Sequence, residues 1–528
     1  MRKVDEKPSR SPGKLQRMAN RLADGWLELR DPRAAAERRY WRDNAHQFAS
    51  MASASTSRAM ADWTTTDGDA DALTLDDLPE TRGRCRDLAL NDPIAKAIRT
   101  VMADYVVGRG IIPKSTVDAD RLGITTAAAE DWQGAVDEFF GEVKDTADVT
   151  GRNTWSRLQR LTFLSMFDGG DVFPSFPMPQ TDERVRTKIN LIEAERVVQP
   201  YGAGFIDQFT NGGVEVNKWG RPVAFYVQRG HPGSLTTTPN HYKIERWPKY
   251  KTAGSVRRLN VMQLYDQERI GQSRGVPFLA QAVPMLDRVS NYIDDVMLQA
   301  QLQNALSVWI QTTGNPESIQ SNIRDEVNYE GLSEKQVRAG SINVLKAGDT
   351  ASFLTPTTPA GFFDDLVVRM LRIVMACVGG SYELTFDVGG ANYSSIRMGV
   401  LRFKQTISCL QDVIEPAFAA WRAHAIREAW LDGKLPAVDY EANQPAWNAA
   451  TWDRPAVPWV DPAKDAQAEV ILIDAGLKSK RQTMRERGNN PREIEKEIAA
   501  ESAAAPEPEP AAPAPAEQEQ PQREAVTP

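Results

Sequence analysis

The stretch Leu279-Ala-Gln-Ala-Val-Pro-Met-Leu286-Asp-Arg-Val289-Ser-Asn-Tyr-Ile293-Asp-Asp-Val296-Met-Leu298-Gln-Ala300-Gln-Leu302-Gln-Asn-Ala-Leu306 decides the architecture. Leu286, Val289, Ile293, Val296 and Ala300 recur at steps of three and four, the repeat of one helix face. Leu298, Leu302 and Leu306 make a second apolar line on another face. A long, lightly charged helix with two apolar lines needs cover on both sides. Neighbouring copies in a ring or bundle would supply it, and so would the interior of one large domain.

Working outward, Val308 to Gln311 reads as a strand, Ile319 to Tyr329 as a short helix and Gly340 to Lys346 as a strand again. Phe362 to Val378 is a second helix, stopped by Gly379-Gly380. Asp387-Val-Gly-Gly-Ala-Asn-Tyr-Ser-Ser395 has no apolar period and reads as a loop. A long helix follows from Ser395 to about Trp430, either continuous or broken at Pro416. On the N-terminal side, Val172 to Tyr265 is a mostly antiparallel β region. Within it, Val214–Val216 and Val223–Val227 flank a hairpin loop, Asn217 to Pro222.

Earlier still, Thr126–Val143 and Thr154–Phe167 carry Leu, Phe and Trp on one face, and a helix starts near Leu78-Pro79. It resumes after Asn91-Asp92-Pro93, where Asp92 can cap and Pro93 can open the next helix. That helix should end before Val107-Gly108-Arg109-Gly110. The first sixty residues read as an arm that orders against a partner, with a helix around Ala34–Ala45, and Asp67–Asp77 as an acidic linker. Glu501 to Pro528 holds 7 Pro, 6 Glu and 8 Ala, too little apolar surface to fold. Together these elements predict an α+β protein.

The 528 residues include 63 Lys and Arg against 71 Asp and Glu, a formal charge of −8. A broad phosphate-gripping surface would need a basic excess, so only a local basic stripe is open. Three cysteines, Cys85, Cys377 and Cys409, are odd in number and far apart, which excludes a disulfide framework and suits a reducing compartment. The N-terminus has no apolar core of a signal peptide, and no apolar run is long enough to span a membrane.

Catalytic motifs are missing. There is no GxxxxGK[ST] loop and no HExxH, Gly379-Gly-Ser-Tyr-Glu383 lacks the closing glycine of a nucleophile elbow, and Gly108-Arg-Gly110 is a lone GxG. Asp168 and Asp171 around Gly169-Gly170 would suit a cation or, more simply, a tight helix-to-strand turn. His231 and His241 lie in the β region, where a shared site or ordinary surface and core positions are the two readings. No cofactor and no metal site is predicted, and no enzyme.

Several stretches, in order, resemble the lambda-type portal proteins of tailed bacteriophages. They are Arg84-Cys-Arg86-Asp-Leu88 with Asn91-Asp-Pro93, Val106-Val-Gly-Arg-Gly-Ile111, Gly151-Arg152 with Leu158-Gln-Arg-Leu161, and Gly169-Gly-Asp171-Val-Phe173. Gly213-Val-Glu215, Gly220-Arg-Pro222 and His231-Pro232 resemble the family's hairpin segment. Gly271-Gln-Ser-Arg274-Gly-Val-Pro277, Gly379-Gly-Ser-Tyr-Glu383 and Asn392-Tyr-Ser-Ser-Ile-Arg397 follow. Trp459-Val-Asp-Pro462 with Lys464, then Gly476-Leu477, Ser479 and Gly488, close the series. The resemblance spans about residues 80–500. Cys377-Val378 before the glycines departs from the family's usual Ala.

The resemblance implies a ring of twelve copies at one capsid vertex, a channel for double-stranded DNA in packaging and ejection, and a place in the virion after assembly in the host cytoplasm. Implied partners are the terminase large subunit, the major capsid protein and a head–tail adaptor, with no membrane. It also implies a division of the chain: arm and linker 1–77, wing 78–278, stem helix 279–307, clip 308–358, second stem helix 359–378, tunnel loop 379–394, long wing helix 395–438, crown-like helices 439–500 and tail 501–528. Gly389, Gly390, Asn392, Tyr393, Ser394 and Arg397 would face the DNA, with Arg402 as a further transient contact. A closed ring needs two different faces per copy. The two apolar lines on Leu279–Leu306 would supply them, with Leu286, Val289, Ile293, Val296 and Leu302 as the expected interface residues. Another virion connector, a nucleic-acid-binding adaptor, or a metal-dependent hydrolase built on Asp168, Asp171 and a histidine are the competing readings.

Overall fold

The computed structural model describes residues 68–180, 183–200, 209–235, 238–253, 256–304, 308–310, 342–344, 363–386, 393–455, 462–489 and 491–504. The expected helices Ala34–Ala45 and Ile319–Tyr329, the loop positions Gly389, Gly390 and Asn392, and the tail beyond Ala504 lie outside these residues.

Helices come first: α1 (Ala70–Thr74), α2 (Leu78–Asn91) and α3 (Pro93–Val106). Asp92 separates the last two by capping. Its Oδ1 accepts the Ala95 N–H at 2.7 Å, and Pro93 sits at the first helical position, where its missing N–H costs nothing. The chain then makes strand β1 (Ile112–Ser115), a one-turn α4 (Ala119–Leu122), α5 (Thr126–Val143) and α6 (Trp155–Gly169).

The β region is antiparallel throughout its ladders. β2 (Asp171–Ser175) lies between β3 (Asn190–Glu193) and the short β10 (Leu264–Tyr265). β4 (Thr210–Asn211), β5 (Val214–Val216), β6 (Pro222–Gln228) and β7 (Ile244–Pro248) form a four-stranded sheet in sequence order. β8 (Tyr250–Ala253) and β9 (Val256–Leu259) form a separate hairpin. The expected β5–β6 hairpin is present, and Asn217 fixes its loop by accepting the N–H groups of Trp219 and Arg221 at 2.9 and 3.0 Å.

Next come α7 (Val283–Asn304), the strands β11 (Val308–Ile310) and β12 (Ile342–Val344), which pair in parallel, and α8 (Phe363–Cys377). α9 (Tyr382–Thr385) precedes α10 (Tyr393–Leu431), and a one-turn α11 (Gln444–Trp447) leads to β13 (Ala450–Asp453). α12 (Pro462–Asp474), α13 (Lys480–Glu486) and α14 (Pro491–Ala504) close the described chain.

One large core joins α3, α5, α6, α8 and α10. Trp155 stands at its centre, with ring centroids of Phe140, Phe418 and Trp421 at 5.1, 5.0 and 5.4 Å, and its Nε1–H donates to the Ile111 carbonyl at 2.9 Å. Truncating such a side chain to alanine typically costs about 3–5 kcal/mol. A smaller core under the sheets collects Phe173, Ile192, Val214, Phe225 and Val261.

Three expectations are corrected, and one left open is decided. α7 begins at Val283, because Leu279–Ala282 form a tight turn (Ala282 N–H to Leu279 carbonyl, 2.9 Å) and Pro284 fits only a first helical turn. α10 runs unbroken through Pro416 for 39 residues. Its neighbours Ile414, Ala417, Phe418 and Trp421 are fully buried, and that packing outweighs the lost N–H. Residues from Asp439 do not form helices alone: β13 returns to pair with β1 from Ile112↔Asp453 to Ser115↔Ala450, 335–341 residues earlier in the chain. Glu501–Ala504, expected in the tail, are the last turn of α14.

Candidate assembly and channel site

Asp171, the first residue of β2, is fully buried and receives five donors. Arg274 donates Nε–H to Oδ2 at 2.6 Å and Nη2–H to Oδ1 at 3.0 Å, a two-pronged ion pair. Arg82 adds Nη2–H at 3.1 Å, Gln263 Nε2–H at 3.1 Å and the Gly275 N–H at 3.3 Å. Arg274 spends its other three N–H groups on the carbonyls of Val197, Gly212 and Ala194 at 2.7–2.8 Å. All five guanidinium donors are thus used. Burial by itself would raise the Asp171 pKa, but Arg274 and Arg82 outweigh it and hold the carboxyl below the usual carboxylate range. Burial, aided by Arg274, lowers Arg82 to about 10, which leaves it charged at neutral pH.

Asp168 does not join Asp171 in a cation site. Arg99 holds it through Nε at 3.0 and 2.7 Å from the two carboxylate oxygens. Burial raises its pKa against the pull of Arg99. The Asp168–Asp171 segment is therefore a helix-to-strand turn, with Gly170 at φ +85°. The two histidines meet only through backbone: His241 Nε2–H donates to the His231 carbonyl at 2.8 Å. His231 lies near Glu193 and Glu195, but Arg86 already sits on both carboxylates, at 3.7 Å from Glu193 and 2.5 Å from Glu195.

α7 and α8 pack against each other. The first half of α7 belongs to the core: Leu286 and Val289 are fully buried within the chain, and Ser290 donates to Asp92 Oδ2 at 2.7 Å. Those two expected interface residues are therefore already covered by their own subunit. Ile293 and Val296 are half-buried, while Met297 and Leu298 are 57% and 55% exposed. Leu302 falls in the last turn of α7. α8 repeats the division, with Leu371, Val374 and Met375 buried and Ile373 51% exposed.

After α8 the chain turns at Gly379, φ +69°, and a Cβ there would press on the Thr406 side chain of α10, 2.7 Å away. A Cβ on Gly380 would overlap the Met375 methyl. Close packing, rather than mobility, explains this glycine pair. Ser381 caps α9, Tyr382 is buried, and Arg372 lies 5.2 Å over the Tyr382 ring and 3.7 Å from Glu383. A cavity of about 180 Å³ remains here, walled by Arg372, Tyr382, Glu383, Arg402 and Phe403 among others. Tyr393, Ser394 and Arg397 form the first turns of α10.

The sequence profile of the family described as "Phage portal protein, lambda family" matches residues 56–411. The chain belongs to that family. It is a portal protein, the connector of a capsid vertex. A probable portal protein of Halomonas phage phiHAP-1 is 24% identical over 456 residues, covering 82% of each chain. Portal protein B of Escherichia phage lambda is 22% identical over 470 residues, covering 82% of this chain and 85% of its own. The neck of a native gene transfer agent particle, computed with C12 symmetry, is similar at 14% identity and TM-score 0.44, over 76% of this chain and 90% of that chain.

Two motifs that carried the resemblance to portal proteins, Gly169-Gly-Asp171 and Arg274-Gly275, prove to be one structural unit. Arg82, the third member, carries no sequence signal of its own, because it is one of several charged residues on the polar helix α2. Among the described residues no helix is long and apolar enough to cross a membrane.

Proposed function

We propose that twelve copies of this chain form a ring whose channel passes double-stranded DNA during packaging and ejection, with α7 and α8 as the stem. The observation that carries the reading is the way α7 leaves its own core. Leu286 and Val289 are locked inside the subunit, whereas Met297 and Leu298 are exposed, Val296 is half-buried, and α8 likewise exposes Ile373. Exposed apolar side chains on this helix pair suit a heterologous contact with the next copy, which a closed ring requires.

In this reading the segment 379–394 lies at the channel, with Gly389, Gly390, Asn392, Tyr393, Ser394 and Arg397 as its DNA-facing residues. The insertion between α7 and α8 docks the terminase large subunit, and the ring also meets the major capsid protein and a head–tail adaptor in the virion. The role is mechanical: both carboxylates of the competing hydrolase reading are consumed by arginines. Negative-stain images of the purified protein test the proposal. Rings with a central hole are expected, and monodisperse monomers across the concentration range would reject it.

A further inference from the structure

The chain's charge is unevenly placed. Residues 209–265 carry nine Lys and Arg against two Glu, a surplus of +7, so the rest of the chain sums to −15. Both glutamates are occupied: Glu215 accepts a two-pronged pair from Arg246 at 2.7 Å, and Glu245 lies 3.3 Å from Lys243. Lys218, Arg221, Lys249, Lys251 and Arg257 make no ion pair among the described residues.

Topology gathers these five cations. The β6–β7 register pairs Ala224 with Pro248, and the Lys249 N–H donates to the Val223 carbonyl at 2.8 Å. The β5–β6 loop, with Lys218 and Arg221, is therefore at the same end of the sheet as the start of the β8–β9 hairpin. Two aromatic rings lie among the charges. Trp219 is 81% exposed with Lys218 Nζ 5.3 Å from its centroid, and Arg257 stacks 3.9 Å over Tyr250.

We propose that this end of the four-stranded sheet is a second DNA-contact surface, separate from the channel segment, that grips the phosphate backbone of duplex DNA. Protein–protein interfaces deplete charge from their centre, whereas protein–DNA interfaces are polar and strongly positive. Here each ring carries a cation: Lys218 by Trp219, and Lys249 and Arg257 by Tyr250, at 5.3, 6.0 and 3.9 Å from the ring centroids. The overall acidity of the chain disfavours indiscriminate binding, so a local patch of this kind confines the contact to one face. The inference rests on the portal reading only for why DNA is nearby, and its test does not need a ring.

Binding of the full-length protein to a short fluorescein-labelled DNA duplex, followed by anisotropy across a salt series, tests it. Each phosphate neutralised contributes about −0.9 to the slope of log K against log salt. The triple variant Lys249→Ala, Lys251→Ala, Arg257→Ala should flatten that slope by about 2.7. A control lacking three exposed cations elsewhere, Lys96→Ala, Arg109→Ala, Lys480→Ala, should keep the wild-type slope. Wild-type slope and affinity in the first variant overturn the proposal. So does unaltered DNA binding with a changed sedimentation profile, which would assign the patch to a contact between copies. A flattened slope in a protein that forms no rings leaves this surface standing and rejects the channel reading instead.

Discussion

Gly170 and Gly275 cross back to back, so that a Cβ on either would overlap the carbonyl oxygen of the other. The crossing lets the turn after α6 and the segment leading into α7 lie in direct contact, with Asp171 and Arg274 locked beside it. Gly275→Ala must push these backbones apart and is expected to cost at least about 2 kcal/mol. Gly134→Ala, inside α5 with nothing within 4 Å of the new methyl, should instead stabilise by about 0.5–1 kcal/mol. Chemical denaturation of the two variants checks the contrast. Equal stability would remove the crossing's importance.

Arg274→Lys keeps the charge and loses the fork. A lysine ammonium has three donors and cannot reach Asp171 and the carbonyls of Val197, Gly212 and Ala194 together. The expected loss is about 3–5 kcal/mol, as for breaking a buried pair, and Asp171→Asn should cost a similar amount by stranding two arginines. Because the folded Asp171 carboxyl is held below its ordinary range, its contribution is full above that range and fades as pH falls through the folded value. Denaturation midpoints measured from neutral to acidic pH should show the wild-type advantage over Asp171→Asn shrinking on acidification.

His424, on α10 against Phe176, gives a second pH dependence. Burial first, then repulsion from Arg258, lowers its pKa from 6.5 to about 4. The unfolded chain therefore binds more protons between these values, and stability is lost as pH falls from about 6.5 towards 4, by up to ~3 kcal/mol. A His424→Gln variant should have a flatter stability profile across that window. An identical profile would place the acid sensitivity elsewhere.

Much of the fold was readable because local signals coincide with it. Asp92-Pro93 specifies a helix start, α5 was bounded to the residue by its apolar face, and the Asn217 loop announced its hairpin. What escaped depended on distant partners. β13 is four residues long and acquires its strand conformation from β1, far away in the chain. Whether Pro416 breaks α10 was open in the sequence because the burial of its neighbours is not a local property. Leu286 and Val296 share one helical face, so periodicity could not tell that the first is sealed by its own subunit while the second is near the point of emergence. The Asp171–Arg274–Arg82 unit joins three segments whose residue types are each ordinary.

The division of α7 yields a paired test. Leu286→Asp puts an uncompensated charge into the subunit core and should unfold the monomer. Val296→Asp and Leu298→Asp place it where the helix emerges, so the subunit should retain its helical signal while ring assembly fails in analytical ultracentrifugation. Assembly of the latter variants with unchanged stability would take the interface off this helix.

The loop between α9 and α10 provides the most direct test of the channel. Gly379 and Gly380 pack against Thr406 and Met375, and Gly389 and Gly390 are the second glycine pair of the segment. They lie in a polar run with Asp387, Asn392, Tyr393 and Ser394, between one short and one very long helix. Proline at both positions would fix φ near −65° and remove two N–H donors, stiffening the loop without altering the faces of α7 or α8. Rings are expected to form with normal sedimentation, while the amount of full-length DNA packaged or retained in particles falls. Failure of the rings themselves would show that the loop is part of the assembly interface. Wild-type packaging and retention in well-formed rings would mean that the segment has no part in handling DNA, and the channel wall would have to be sought elsewhere along the stem.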